Sequence, residues 1–186
     1  MRFLTALFLF ALAALPVRAD APADLGPAVG TNIASLIQAP DQTGKAQNYA
    51  SLVGDKGAVL VFFRSAKWCP YCQMQLIDLN LHAEKMAAER GYRMIGISYD
   101  APETLAKFAT KWEMKFPLLS DQGSKIIEAL GIRNTEFKQG HYAYGVPHPL
   151  ILIADAEGTI TAKLHEAAYK DRPEVRVILE AIDKAD

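Results

Sequence analysis

Only two cysteines occur in 186 residues. That is too few for a disulfide-dense scaffold and too few for an all-cysteine zinc or iron–sulfur site, each of which needs about four thiolates. An excess of charge of one sign is also lacking. The 20 Lys and Arg set against 21 Asp and Glu leave a net charge of -1, so no net positive field draws the chain to nucleic acid or anionic lipid. Internal repeats, low-complexity tracts and linker-like composition shifts are missing too. Long apolar runs are limited to Phe3–Leu15, broken only by Thr5 and shorter than the roughly 20 residues needed to span a bilayer. What remains is the balance of an ordinary globular protein, 51% hydrophobic and 22% charged, in one domain's worth of chain.

Arg2 stands ahead of the apolar run and Pro16-Val17-Arg18-Ala19-Asp20 behind it. These read as the charged start, apolar centre and small-residue cleavage site, after Ala19, of a secretory signal peptide. Removal of residues 1–19 leaves a domain of residues 20–186 with 18 basic and 21 acidic residues, a net charge of -3. The expected location is outside the cytosol, the periplasm in a bacterium, where disulfides form and persist.

Residues 21–55 are rich in Pro, Gly and Asn and predict few regular elements, with a turn at Asp41-Gln42-Thr43-Gly44. Gly57–Phe63 is a continuous apolar run, as in a strand covered on both faces. Beyond it the spacing of Cys72, Leu76, Leu79, Ala83 and Met86 predicts one face of a helix ending at Gly91. Arg93–Tyr99 is the next strand. Asp100 is then placed to cap a helix with inner face Leu105, Phe108, Ala109 and Trp112, with Glu103 completing a capping box. Pro117 makes Phe116–Leu119 an edge strand or loop. A short helix through Ile126, Ile127 and Leu130 stops at Gly131, and a loop runs from Asn134 to Tyr144. Leu150–Ala154 and Thr159–Leu164 flank Asp155-Ala156-Glu157-Gly158 as a β-hairpin. A last helix starts near Pro173, with Asp171 and Glu174 at capping-box spacing and Val175, Ile178 and Ile182 inward.

The chemistry concentrates at Cys69 and Cys72. Three residues apart at a strand-to-helix junction, they share one side of the first helical turn, within reach of a disulfide. Cys69 is expected to be the exposed member. Its sulfur lies at the helix N-terminus, where unsatisfied N–H groups favour a thiolate, and Lys67 adds positive charge nearby. Cys72, on the apolar face, is expected to be the buried resolving thiol. A static disulfide closing so small a loop would remove little unfolded-chain entropy. A metal site would need further ligands, and His82, His141, His148 and His165 show no ligand spacing; Gln73 after Cys72 excludes a haem-attachment motif. No cofactor is implied. Trp68 and Tyr71 read as an apolar rim for a docking partner, and Met74 and Met86 as core or helix-face fillers.

Val59–Phe63 followed by Arg64-Ser65-Ala66-Lys67-Trp68-Cys69-Pro70-Tyr71-Cys72 resembles the active-site strand and turn of the thioredoxin superfamily, in the redoxin branch of alkyl hydroperoxide reductase and thiol-specific antioxidant proteins. Gly96–Asp100, Phe116–Asp121 and Tyr144–Pro149 running into Ile153–Gly158 resemble successive landmarks of that branch. The resemblance implies a thioredoxin-like α/β fold, a central mixed sheet flanked by helices with a C-terminal hairpin and helix. It also implies a cis-proline loop opposite the cysteines, with Pro149 the candidate and Pro147 the second choice; His148 would then face Cys69.

Departures from the family pattern bear on the chemistry. Aligning the peroxiredoxin motif P-x-x-x-T-x-x-C on Cys72 puts Ser65 at its proline and Cys69 at its threonine; aligning on Cys69 gives Phe62 and Ala66. The peroxide-polarising arginine is not evident, with Arg64 a possible substitute, and the buried acid of thioredoxins is absent from Val59–Phe63. The sequence therefore favours an exported thiol-disulfide oxidoreductase cycling Cys69 and Cys72, supported by Lys67, Trp68, Pro70, Tyr71, His148 and Pro149. Its partners would be disulfide-bearing or dithiol proteins and a thiol electron donor, not nucleic acid or membrane. The alternatives are a thiol peroxidase with Cys69 peroxidatic and Cys72 resolving, and a copper-binding or delivery module.

Overall fold

The Asp41–Gly44 turn organises the N-terminal stretch of the computed structural model, which describes residues 24–168 and 170–185. The expected leader, residues 1–19, lies outside them. Asp41 Oδ1 accepts from the backbone N–H of Thr43 (2.8 Å) and Lys45 (3.2 Å). This closes a two-stranded hairpin of β1 (Gln38–Pro40) and β2 (Ala46–Asn48). Asn48 then caps the single turn α1 (Tyr49–Leu52) through a reciprocal bond pair with Ser51. The stretch is thus more ordered than its composition predicts, because its side chains close its own turns.

The apolar run becomes β3 (Gly57–Phe62), with all six residues buried. The cysteine helix follows as α2 (Pro70–Asp78), a π-turn at Leu79–Ala83, and α3 (Glu84–Glu89). That π-turn explains one departure. The extra residue it inserts shifts the helical phase, so Ala87 is buried where Met86 was expected, and Met86 is 41% exposed. Met74, also read as a filler, is exposed.

β4 (Tyr92–Ser98) lies parallel to β3, and α4 (Pro102–Trp112) leads to β5 (Leu118–Ser120), the edge strand its neighbouring proline predicts. After α5 (Lys125–Ala129), β6 (Leu150–Asp155) and β7 (Ile160–Leu164) form the predicted hairpin, in which Asp155 Oδ1 accepts from Glu157 and Thr159 N–H and Gly158 supplies a φ of 86°. α6 (Val175–Asp183) closes the chain. The five-stranded sheet has the order β5-β4-β3-β6-β7, with β6 antiparallel to β3.

Alternate residues of β3 and Phe63 just beyond it feed two cores. Val59, Val61 and Phe63 pack with Cys72 and Leu76 of α2, Leu105 of α4 and Ile178 and Ile182 of α6. Ala58, Leu60 and Phe62 pack with Leu25, Ile33, Ile126 and Ile127 on the other face. Each fully buried Leu, Ile or Phe contributes about 1.5–3 kcal/mol of transfer free energy. The mixed α/β architecture expected from the sequence is the one observed.

Two capping expectations are corrected. The N-cap of α4 is Ala101, with no side-chain bond, because Pro102 occupies the first helical position and Asp100 turns inward. The N-cap of α6 is Glu174, again without a side-chain bond, so Asp171 forms no capping box. Trp112, expected inside, is 38% exposed at the end of α4. Among the described residues no helix is long and apolar enough to cross a membrane.

Candidate active site

Cys69 is the N-cap of α2, its backbone extended, and Pro70 takes the first helical position, where its missing N–H is not needed. Cys69 Sγ accepts from the Cys72 N–H at 3.3 Å, as expected for a sulfur at a helix start. A disulfide joins the two residues, whose Cα atoms are 5.3 Å apart. Cys69 is not the exposed member the sequence predicts: it is 2% exposed and Cys72 0%. Trp68 and Tyr71 pack against the same core cluster as the cysteines.

The turn that delivers Cys69 is held by a buried carboxylate. Asp100, at the end of β4, accepts from Ser65 Oγ (2.9 Å), the Ala66 N–H (2.7 Å) and Ser98 Oγ (3.2 Å). Ser65 Oγ in turn accepts from the Lys67 N–H (3.0 Å). Burial pushes the Asp100 carboxyl above its ordinary value, while these bonds act in the opposite direction. The acid missing from β3 is therefore supplied by the end of the next strand, but it grips the loop rather than a sulfur. The Asp100-Ala101-Pro102 order carries a signal for this, since a proline at the first helical position moves the cap to Ala101.

Trp68 is fixed as a platform. Its Nε1–H donates to Tyr99 Oη (3.0 Å), whose hydroxyl donates to the Tyr142 carbonyl (2.9 Å). The Tyr142 ring meets Trp68 edge-on at 5.2 Å, and the Arg64 guanidinium lies 4.9 Å from the Trp68 ring centroid and 5.3 Å from that of Phe137. The Asn134–Tyr144 loop thus backs the active-site turn. Tyr71 is partly buried, with Lys170 Nζ 5.9 Å from its ring.

A further contact comes from the far end of the chain. Arg172 Nη2 lies 3.5 Å from Cys72 Sγ, a hydrogen-bonding contact spanning 100 residues of sequence. Arg172 is largely buried, and burial with the nearby Arg64 charge lowers its pKa to about 10, so it stays protonated at neutral pH. No local pattern announces this residue.

His148 and Pro149 line a small cavity of about 10 Å³ together with Gln75 and Arg172. Burial holds the His148 imidazole below its usual value, opposed by Glu136 and reinforced by Arg64 and His165. His148 makes no hydrogen bond to either cysteine among the described residues; its backbone N–H donates to the Ile132 carbonyl (2.8 Å). The cis-proline expectation is corrected, because no cis peptide occurs among the described residues and both Pro147 and Pro149 are trans. Lys67 is exposed and lines a separate groove. Among the described residues no three His, Cys, Asp or Glu side chains converge as a metal site.

A model of the AhpC/TSA family matches residues 30–163. Peroxiredoxin Bcp of Escherichia coli is 31% identical over 136 residues, covering 73% of this chain and 85% of that protein. A putative peroxiredoxin of Haemophilus influenzae is 30% identical over 137 residues, covering 72% and 87%. In structure, peroxidoxin BcpB from Mycobacterium tuberculosis superposes with a TM-score of 0.66 at 21% identity, over 87% of this chain and 96% of that one. A thiol peroxidase from Chromobacterium violaceum gives 0.70 at 18%, over 88% and 90%. At such identities the structures speak to the fold, which is the thioredoxin-like one of peroxiredoxins, while the family model and the curated relatives speak to descent: this chain belongs to the AhpC/TSA family.

Proposed function

We propose that the protein is a thiol-dependent peroxidase in which Cys72 attacks the peroxide and Cys69 resolves. One observation carries this reading: the Arg172 guanidinium at 3.5 Å from Cys72 Sγ supplies the cationic group that the sequence did not reveal. A guanidinium there stabilises the Cys72 thiolate and offers N–H donors to a peroxide oxygen. The thiolate attacks one peroxide oxygen and the O–O bond breaks. The other oxygen leaves with the bond's electron pair and takes a proton as water or alcohol, and Cys72 becomes a sulfenic acid. Cys69 then attacks Cys72 Sγ, hydroxide leaves and is protonated to water, and the disulfide forms. The family relatives, named as peroxiredoxins, support this over the exchange of protein disulfides to which the sequence pointed. They also leave the copper module without support. The roles of the two cysteines are the reverse of those the sequence implied for a peroxidase, because the activating features it displayed, the helix N-terminus and Lys67, both pointed to Cys69.

The test is single-turnover oxidation by hydrogen peroxide with a sulfenic-acid trap. Cys69→Ser is expected to react once and give a trappable sulfenic acid at Cys72, and Cys72→Ser to be inert. A trapped sulfenic acid at Cys69 in Cys72→Ser, with Cys69→Ser inert, would reverse the roles. Reaction no faster than that of an unactivated cysteine in both would end the peroxidase reading.

Disulfide exchange remains a second reading, favoured by the Cys69–Cys72 disulfide at a helix start; rapid insulin reduction with slow peroxide reaction would select it. We further propose export after cleavage behind Ala19, with thiol-bearing partners outside the cytosol. A mature N-terminus at Asp20 in a secreted or periplasmic fraction is the expected result.

A further inference from the structure

A groove of about 300 Å³ runs between the loop before Cys69 and α4, lined by Ala66, Lys67, Gln73, Thr104, Lys107, Phe108, Lys111 and Trp112. Three of its side chains are lysines, and none is an acid. Lys107 and Lys111 are like charges one helical turn apart, an arrangement that disfavours the helix on its own account. Lys67 faces them across the groove and is also drawn toward the buried Asp100 carboxylate. Among the described residues none of the three makes an ion pair with a carboxylate. The floor is apolar, with buried Phe108 and part-exposed Trp112, over whose ring Lys111 Nζ sits at 5.0 Å.

The groove is mechanically part of the redox turn. Gln73, the residue after Cys72, donates through Nε2 to the carbonyls of Ala66 (2.9 Å) and Lys67 (3.2 Å), tying one wall to the loop that ends at Cys69. Its volume is at the lower end of small-molecule pockets.

We infer that this groove binds the reductant of the disulfide, a small thiol carrying carboxylate groups, of the size and charge of a short acidic thiol peptide. The inference rests on the peroxidase cycle above, for which it names the electron donor. The thiol's carboxylates meet Lys67, Lys107 and Lys111, and its thiolate attacks Cys69 Sγ when the Ala66–Lys67 wall gives way, since Cys69 is 2% exposed and lies behind the groove lining. The Cys69–Cys72 bond breaks and its electron pair leaves on Cys72 as the thiolate held by Arg172, a stabilised leaving group. A second thiolate attacks the small-thiol sulfur of the mixed disulfide and releases Cys69. Two thiols become one small disulfide, the protein disulfide becomes a dithiol, and the two protons lost by the donors return to the two cysteines.

The experiment measures reduction of the oxidised protein by glutathione and by uncharged dithiothreitol, with acid quench and alkylation. Wild type is compared with Lys107→Glu/Lys111→Glu and with the milder Lys107→Gln/Lys111→Gln. At low salt the charge-reversed variant is expected to lose about tenfold in the glutathione rate, the lower end of what steering by a few charges supplies. Its dithiothreitol rate should stay within twofold and the Gln pair should fall between. High salt should erase the difference. An unchanged glutathione rate, or equal losses with both thiols, overturns the inference. So does a loss confined to an acidic thioredoxin-like protein used as reductant, which would make the groove a protein-docking surface. Because the protein is oxidised beforehand with diamide, the readout needs no peroxide; a protein that fails only with peroxide sinks the peroxidase reading and leaves this result standing.

Discussion

The two cysteines lie 5.3 Å apart at Cα yet their surroundings are built in different ways. Cys69 is served by what is near it in sequence or at the adjacent strand end: the Cys72 N–H, Pro70, and the Ser65–Asp100 bonds that fix its loop. Cys72 is served by a guanidinium from a segment 100 residues away. The first environment is a matter of position, with neutral donors and a buried carboxylate that bonds the backbone. The second is a matter of charge. A motif of two identical residues thus becomes asymmetric only when the chain's far end is folded against it, and on the proposed peroxidase reading the sulfur that meets the guanidinium is the one that attacks.

The comparison breaks most sharply at Arg172. Arg172→Ala removes one charge-assisted contact, of the kind that contributes about 1.5–3 kcal/mol, so the peroxide rate is expected to fall roughly 10- to 100-fold. The Cys72 thiol pKa should rise, as followed by alkylation against pH. A rate within twofold of wild type would show that Cys72 does not depend on this cation.

Asp100→Ala tests the other environment. It leaves the Ala66 N–H and the Ser65 hydroxyl without their acceptor in a buried site, and a loss of about 2–3 kcal/mol in urea unfolding is expected. The Cys72 thiol pKa should stay near its wild-type value. A shift as large as that of Arg172→Ala would mean that the two environments are not separate.

Tyr99→Phe removes the acceptor of Trp68 Nε1 and the donor to the Tyr142 carbonyl. About 1 kcal/mol of stability should be lost, with the peroxide rate little changed, since the platform's hydrogen bonds run to Tyr99 and Tyr142 rather than to Cys72. A rate loss exceeding the stability loss would place Trp68 in the chemistry.

The smallest effect concerns His148, whose folded pKa lies below its unfolded value because of burial. The unfolded chain then binds its proton first, so stability falls as pH drops through about 6.5 toward the folded value. Thermal unfolding against pH should show this slope in wild type and a shallower one in His148→Asn. Identical slopes would remove His148 from the acid response.

Much of the site was readable before folding. The apolar run Gly57–Phe63, the Cys69-Pro70-Tyr71-Cys72 step and the hairpin at Gly158 announce themselves through local rules: a strand covered on both faces, a proline at the first helical position, a positive φ. The errors were also local in origin. Met86 was misplaced because a π-turn alters the helical period without a residue type that marks it. Asp100 was misassigned because capping and loop-gripping carboxylates look alike in sequence, and only the buried donors of Ser65 and Ala66 distinguish them.

By itself the sequence determined the order of strands and helices and the pairing of Cys69 with Cys72, because periodicity and a three-residue cysteine spacing act over a turn or two of chain, while the fold class came from the family resemblance. Tertiary structure alone decided which sulfur meets a cation and which lysines share a groove. Arg172 reaches Cys72, and Lys67 faces Lys107 and Lys111, across sequence separations at which no residue pattern persists. Such meetings arise from how α4 and the segment before α6 pack on the sheet, and the apolar core, not the charged residues themselves, sets that packing.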